Sequence, residues 1–243
     1  ISALGHKVTI ASRKNYIDAP SWLPQANVKK INWPNDSDLI NICLDVDIVI
    51  HAAGMNAKDC EANPAEAFEF NGECTARLFE AAQSAKVRRF VYLSTAHIYA
   101  NPLVGDINEA TTPSNLHPYA TSHLAGELSL LNAKRQSPIQ VIILRLSNVI
   151  GAPAHKDVNS WSLLVNDLCR QAVETRFIRL NSNGKQQRDF IPITEVCRII
   201  SALTTNFYDC GEVPILNLGS GKSYTVIEMA SLIQSRCNNM LNY

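Results

Sequence analysis

Tyr119 opens the stretch Tyr-Ala-Thr-Ser-His-Leu-Ala-Gly-Glu, in which His123 stands four positions on. On a helix that spacing sets a phenol and an imidazole one turn apart on the same face. A tyrosine ionises at about pH 10, so accepting a proton near neutrality requires positive charge or strong donors beside its phenolate. A neighbour one turn away is placed to supply them. Upstream, Phe90-Val-Tyr-Leu-Ser-Thr95 reads as a strand whose end presents the hydroxyls of Ser94 and Thr95 at the carboxyl edge, where open parallel sheets place ligands. Taken singly, a strand-end hydroxyl satisfies a loop amide and a tyrosine packs. Together they suggest proton transfer.

The elements that must position these groups follow from the pattern of Val and Ile. Lys7 to Ala11, Val28 to Trp33, Asp47 to His51, Phe90 to Ser94 and Ile139 to Leu146 are short runs of strand character. Segments with helical spacing separate them, so the expected class is α/β, with crossover units on a parallel sheet. A helix from Pro64 to about Ser84 has Asn63 as cap, Pro64 in its first turn and Glu66 to complete a capping box. Phe68, Thr75, Leu78, Phe79 and Ala82 are expected on its inner face, with Asn71 on the same stripe. That amide either ties strand carbonyls together or contacts a cofactor. Trp161, Leu164, Val165, Leu168, Cys169 and Ala172 mark a second amphipathic helix. Val213 to Leu218 reads as a strand leading into the turn Gly219-Ser220-Gly221, and Val226 to Ile233 as a further helix.

The 243 residues carry 22 basic and 22 acidic side chains, so no broad charge attracts nucleic acid or acidic lipid. With 46% hydrophobic residues the composition is globular. No apolar stretch approaches the roughly 18–20 residues of a membrane span, and the opening residues show no basic segment followed by an apolar one. A soluble cytoplasmic protein, with neither nucleic-acid nor membrane partners, is expected. The seven cysteines are scattered and form no C-x-x-C, which suggests neither a disulfide framework nor a metal site. The opening Ile-Ser-Ala-Leu-Gly-His reads as the end of a helix already under way.

In these motifs the sequence resembles the extended short-chain dehydrogenase/reductases, specifically the NAD-dependent epimerase/dehydratase group acting on nucleotide sugars. Asp47-Ile-Val-Ile-His-Ala-Ala-Gly54 resembles the family's fourth strand and the loop along the cofactor. Phe70-Asn71 to Leu78 resembles F-N-x-x-G-T-x-x-L, with Cys74 in place of glycine. Alignment of Ile98-Tyr99 with the family's V-Y puts Thr95, not Ser94, in the catalytic Ser/Thr role, and Tyr119 in the place of the catalytic tyrosine of Y-x-x-x-K. Arg145 to Gly151 resembles R-x-x-N-V-Y-G, Asn183 to Phe190 resembles D-G-x-Q-x-R-D-F, and Asn217 to Gly221 resembles N-x-G-x-G.

The resemblance implies a Rossmann-type doubly wound sheet over residues 1–150, the dinucleotide-binding part. It also implies a smaller interwoven lobe over 151–243, mainly for substrate and partly returning to the core. It implies Ala52, Ala53, Gly54, Asn71, Tyr119 and His123 along the cofactor, Asn32 and Trp33 flanking adenine, and Asn148 and Arg188 near a nucleotide diphosphate. Arg188 alternatively pairs with Asp189 or a neighbour. Dimerisation through helix pairs is frequent in the family, and the helices from Pro64 and Tyr119 could supply them. The family's Gly-rich phosphate loop has no counterpart here and is expected before Ile1, without which dinucleotide should bind poorly. Tyr243 also falls short of the usual family end.

Two departures matter. His123 stands where the family has lysine, and imidazole, with an ordinary pKa of about 6.5, supplies less field at neutrality. The expected consequence is an alkaline-shifted pH profile, with weak or lost activity as the alternative. Ala96-His97 stands where 4,6-dehydratases place Asp-Glu, which favours an epimerase, reductase or dehydrogenase. His97 is then either a proton donor in place of glutamate or a loop residue touching substrate or solvent. For the cofactor, Ser12 occupies the place of the acid that binds an adenosine 2′-hydroxyl. With Arg13 it could instead accept a 2′-phosphate, leaving NAD and NADP both open and Arg13 alternatively a surface residue.

Overall fold

The computed structural model describes residues 1–13, 19–153, 158, 160–205 and 215–241. Cys210 and the start of the strand expected from Val213 lie outside them. The chain divides into two compact units, one of Ile1–Leu146 with Ser201–Asn217, the other of Ser147–Ile200 with Leu218–Tyr243.

In the first unit, a short 3₁₀ turn over Ser2–Leu4 closes on Gly5 in the left-handed region (φ 83°). The strands β1 (Thr9–Ser12) and β2 (Asn27–Lys30) then pair in parallel. Helix α1 (Asp36–Cys43) is capped by the Asn35 side chain, which accepts from the N–H groups of Ser37 and Asp38. The main sheet runs in the order β3 (Ile48–His51), β4 (Arg89–Thr95), β5 (Gln140–Leu146) and β8 (Ile215–Leu218). β3–β4 and β4–β5 are parallel, and Thr95 sits opposite Leu146 at the carboxyl edge. β4 lies between β3 and β5 and is buried on both faces, which is why Phe90-Val-Tyr-Leu reads as one apolar run without alternation. Phe90 and Phe79 are fully buried and meet edge to face at 5.4 Å. Each such side chain contributes about 1.5–3 kcal/mol of burial.

Crossovers join these strands. From β3 the chain passes through α2 (Ala57–Ala62), α3 (Pro64–Ala67), a π-helical segment (Phe68–Glu73) and α4 (Cys74–Ser84). From β4 it passes through α5 (Pro118–Lys134) to β5. The expected helix from Pro64 to Ser84 is thus one helical stretch with a π segment inside it. Two expectations fail here. The Asn63 side chain makes no cap bond, and Phe68 is 45% exposed instead of facing inward. The wider π turn carries an extra residue, so the 3.6-residue stripe does not continue through it. Asn71, Thr75, Leu78, Phe79 and Ala82, from the π segment onward, are buried.

In the second unit β6 (Asn148–Ile150) runs parallel to β7 (Gln187–Pro192), which pairs antiparallel with β9 (Ser223–Thr225). Helices α6 (Leu164–Thr175) and α8 (Val226–Leu241) enclose Leu168, Ala172, Phe190, Met229, Ala230 and Ile233. Trp161, expected on α6, precedes its first turn. A further helix, α7, spans Ile193–Thr205. Among the described residues no helix is long and apolar enough to cross a membrane, and no cluster of His, Cys, Asp and Glu could hold a metal ion.

Candidate active site

α5 begins beside the carboxyl end of β4, and its first turn is unusual. His117 caps it, its ring Nδ1 accepting the Tyr119 N–H at 3.2 Å, and Pro118 fills the first helical position. Tyr119 and His123 then face each other edge to face with ring centroids 4.7 Å apart, as the one-turn spacing requires. Thr95 ends β4. Its hydroxyl oxygen accepts the His97 N–H at 3.1 Å, and its side chain stands beside the Tyr119 phenol. His97 lies against Tyr119 with centroids 6.5 Å apart. One stretch of sheet edge and one helix turn therefore bring Thr95, His97, Tyr119 and His123 together.

Burial dominates the electrostatics. It raises the Tyr119 phenol above its usual value, partly offset by the Thr95 side chain beside it and reinforced by Cys60. It pushes His123 down to about 4, so the imidazole is neutral at pH 7. The field that a protonated neighbour would supply is absent, for a stronger reason than the ordinary pKa of histidine.

The loop Ala52-Ala53-Gly54 leaves the carboxyl end of β3 as an exposed ledge of small residues. A Cβ at Gly54 would lie 3.4 Å from both Asn71 Oδ1 and His123 Cε1. The Asn71 amide pins this ledge: Oδ1 accepts the Met55 N–H at 2.8 Å, while Nδ2 donates to Ser122 Oγ at 3.0 Å and to Cys60 Sγ at 3.7 Å. Its side chain is thus spent inside the protein, on a loop amide and not on strand carbonyls.

Ser94 is not presented to a ligand. Neighbouring strand residues face opposite ways, and the Ser94 hydroxyl donates to Glu127, which is fully buried on α5. Arg145, on β5, holds the same carboxylate in a fork, Nη2 to Oε2 at 2.6 Å and Nε to Oε1 and Oε2 at 3.1 Å. Its Nη1 donates to the Tyr99 hydroxyl at 2.7 Å, which in turn donates to Asn217 Oδ1 at 2.7 Å. This network locks α5 to the ends of β4 and β5 directly behind Thr95 and Tyr119. Sequence reasoning missed it, together with His117 and Tyr92. Glu127 stands four places after His123, one turn further along the same helix, and that was the available signal.

Arg13 lies over the Phe70 ring at 5.5 Å, one place after Ser12, the last residue of β1. Trp33 is core, its indole 5.3 Å from Phe70 and 5.8 Å from His51, and Asn32 precedes it in a turn closed by Asn35 N–H to Asn32 O. In the second unit, Asn148 Nδ2 donates to the Asp189 carbonyl at 3.0 Å. The Asp189 carboxylate accepts from Ser147 Oγ and from the N–H groups of Ser220 and Gly221. These bonds occupy Asp189 within its own unit, and the ion pairs among the described residues do not include Arg188.

Residues 1–219 match the model of the NAD dependent epimerase/dehydratase family. The chain belongs to that family. Members to which it is similar include an uncharacterized UDP-glucose epimerase of Bacillus subtilis, 26% identical over 82% of this chain and 61% of the relative. Another is the human dTDP-D-glucose 4,6-dehydratase, 26% identical over 96% of this chain and 63% of the relative. The chain thus spans about three fifths of the length of these curated relatives. Among solved structures, the UDP-glucose 4-epimerase of Thermotoga maritima with UDP-glucose superposes with a TM-score of 0.83 at 18% identity, covering 96% of this chain and 75% of that one. The UDP-glucuronic acid 4-epimerase of Bacillus cereus with UDP-glucuronic acid and NAD gives 0.79 at 21% identity, covering 96% and 76%. These likenesses establish the Rossmann-type fold of the epimerase/dehydratase family.

Proposed function

We propose that the protein containing this chain is an NAD(P)-dependent epimerase of a nucleotide sugar. The observation that carries the reading is the convergence of Thr95, Tyr119 and His123 beside the Ala52–Gly54 ledge. The ledge fits a dinucleotide, because small side chains and a glycine let a flat ligand lie against the backbone. In this reading residues 1–150 bind the dinucleotide and 151–243 mainly the substrate.

When bound, a nicotinamide supplies the acceptor and donor for the hydride of a sugar carbon. Tyr119 takes the proton of the hydroxyl on that carbon and later returns it. Thr95 holds the same oxygen by a hydrogen bond, and His123 donates to the nicotinamide ribose. Ser12 and Arg13, with Asn32 and Trp33, form the adenosine end. Trp33 serves there as a rigid wall, being core, and Arg13 suits a 2′-phosphate, which keeps NADP beside NAD. Asn148 and Arg188 face the nucleotide diphosphate, where the guanidinium fork matches phosphate oxygens. Ala96-His97 in place of an acidic pair supports epimerisation over dehydration, with His97 against the sugar. Association into a homodimer through the helices from Pro64 and Tyr119 belongs to the same reading.

The experiment is incubation of the full-length protein with NAD or NADP and a panel of UDP-, GDP- and dTDP-sugars. Epimerisation turns over sugar with catalytic cofactor, whereas a keto-sugar reductase consumes cofactor in step with product. The neutral state of His123 favours a second reading, a nucleotide-binding protein of low activity. In that case cofactor binds and Tyr119→Phe changes nothing.

A further inference from the structure

Tyr92, on β4, is 1% exposed and takes no part in the chemistry above. Its ring stacks on His51 with centroids 5.5 Å apart and planes 24° apart, and its hydroxyl lies 3.0 Å from Nδ1 of His123. Which group donates follows from counting protons. The Thr75 hydroxyl gives its proton to the Asn71 carbonyl at 2.7 Å, so towards His51 Nε2, 2.9 Å away, it can only accept. His51 therefore carries its proton on Nε2.

Tyr92 has one proton and three neighbours that could take it. The Asn71 carbonyl is 3.5 Å away and already holds the Thr75 proton. That separation exceeds the range of about 2.5–3.0 Å for O–H···O bonds. Thr75, also beside Tyr92, already accepts from His51. Of the three, Nδ1 of His123 is the acceptor at a normal hydrogen-bond distance from the Tyr92 hydroxyl, 3.0 Å. A neutral imidazole has one N–H, and the bond made by one nitrogen decides which nitrogen carries it. Nε2 of His123 lies 3.6 Å from where a Cβ of Gly54 would stand.

Gly126 supports the same arrangement independently. A Cβ there would lie 2.8 Å from the Tyr92 hydroxyl and 2.6 Å from the Asn71 carbonyl, so glycine leaves the space in which that hydroxyl sits.

We propose that Tyr92 is a positioning residue: its hydroxyl donates to Nδ1 of His123 and fixes that side chain as an Nε2–H donor beside the Ala52–Gly54 ledge. The proposal rests on the reading that His123 donates to a cofactor ribose, a task a neutral imidazole performs there only in this tautomer.

The test is the ¹⁵N spectrum of the histidine rings in the intact, ¹⁵N-histidine-labelled protein at pH 7, with the His123 signals assigned by their loss in His123→Gln. The expected wild-type result is a protonated Nε2 and a bare, hydrogen-bonded Nδ1. Tyr92→Phe removes the hydroxyl and keeps the ring, and the two nitrogen shifts should then move toward each other as both tautomers become populated. A protonated Nδ1 in the wild type overturns the proposal, as does a Tyr92→Phe spectrum superimposable on it. Should Tyr92→Phe fail to fold, the wild-type tautomer decides alone. The spectra are recorded without cofactor. A protein that binds no NAD(P) defeats the functional reading, while the tautomer still tests Tyr92.

Discussion

Replacing Arg145 by Met leaves the Glu127 carboxylate buried with Ser94 as its remaining partner. The side chains of Glu127 and Arg145 are 0% and 4% exposed, and among the described residues their fork is the one ion pair of Glu127. Removing one member of such a pair costs about 3–5 kcal/mol, because the other charge stays desolvated. Total stabilities are about 5–15 kcal/mol, so the loss is a large fraction of what holds the first unit folded. For a chain of this size each kcal/mol lowers Tm by roughly 2–4 °C, which places the Arg145→Met variant roughly 6–20 °C below wild type. Glu127→Gln should cost a similar amount, since it strands the guanidinium. The double variant Glu127→Gln/Arg145→Met should lose much less than the sum of these two singles, with a coupling of about 2 kcal/mol or more. Thermal and urea unfolding followed by circular dichroism read all three. Single variants that each cost under about 1 kcal/mol, or a strictly additive double variant, would refute the claim that this pair locks α5 to the sheet.

Three further outcomes follow from the same geometry. Tyr119 must be ionised to act as a base, and burial raises its pKa while neutral His123 adds no charge, so activity should rise into the alkaline range. His123→Lys should move that basic limb to lower pH, as a pH–rate profile shows, and an unchanged limb contradicts the assignment. His51 and His123 both have folded pKa values depressed to about 4 by burial, against an ordinary 6.5. The unfolded chain therefore binds protons first, and stability should be lost as pH falls from about 6.5 to about 4, by up to about 3 kcal/mol per histidine. His123→Gln should flatten that slope in urea titrations at stepped pH. Gly126→Ala should destabilise by about 1–3 kcal/mol through its contact with the Asn71 carbonyl, whereas Gly54→Val should leave Tm nearly unchanged and abolish cofactor binding in a calorimetric titration.

Fold class and the central site were legible because the signals are local. One helical turn relates Tyr119 to His123, and an apolar run ends at Thr95. α5 is the crossover that follows β4, so its first turn comes beside the end of that strand. What sequence could not show depends on tertiary partners. The π segment at Phe68–Glu73 has no spacing signature, so Phe68 was placed on the wrong face. By residue type Ser94 and Thr95 read alike as strand-end hydroxyls; the family resemblance singles out Thr95, and what it cannot show is that Ser94 is held by the buried Glu127 one helix away. Three-residue strands such as Asn148–Ile150 and Ser223–Thr225 are too short for periodicity, and the His117 cap uses a residue outside the usual Ser, Thr, Asp and Asn set.

The most direct test of the functional reading compares wild-type full-length protein with Tyr119→Phe on the panel of nucleotide sugars, with sugar configuration read by NMR and cofactor binding by calorimetry. The account predicts interconversion of epimers at catalytic cofactor in the wild type, and intact cofactor binding with turnover lost by at least about a hundredfold in Tyr119→Phe. Epimerisation that survives Tyr119→Phe, or the absence of turnover on every nucleotide sugar together with no NAD(P) binding, would contradict it.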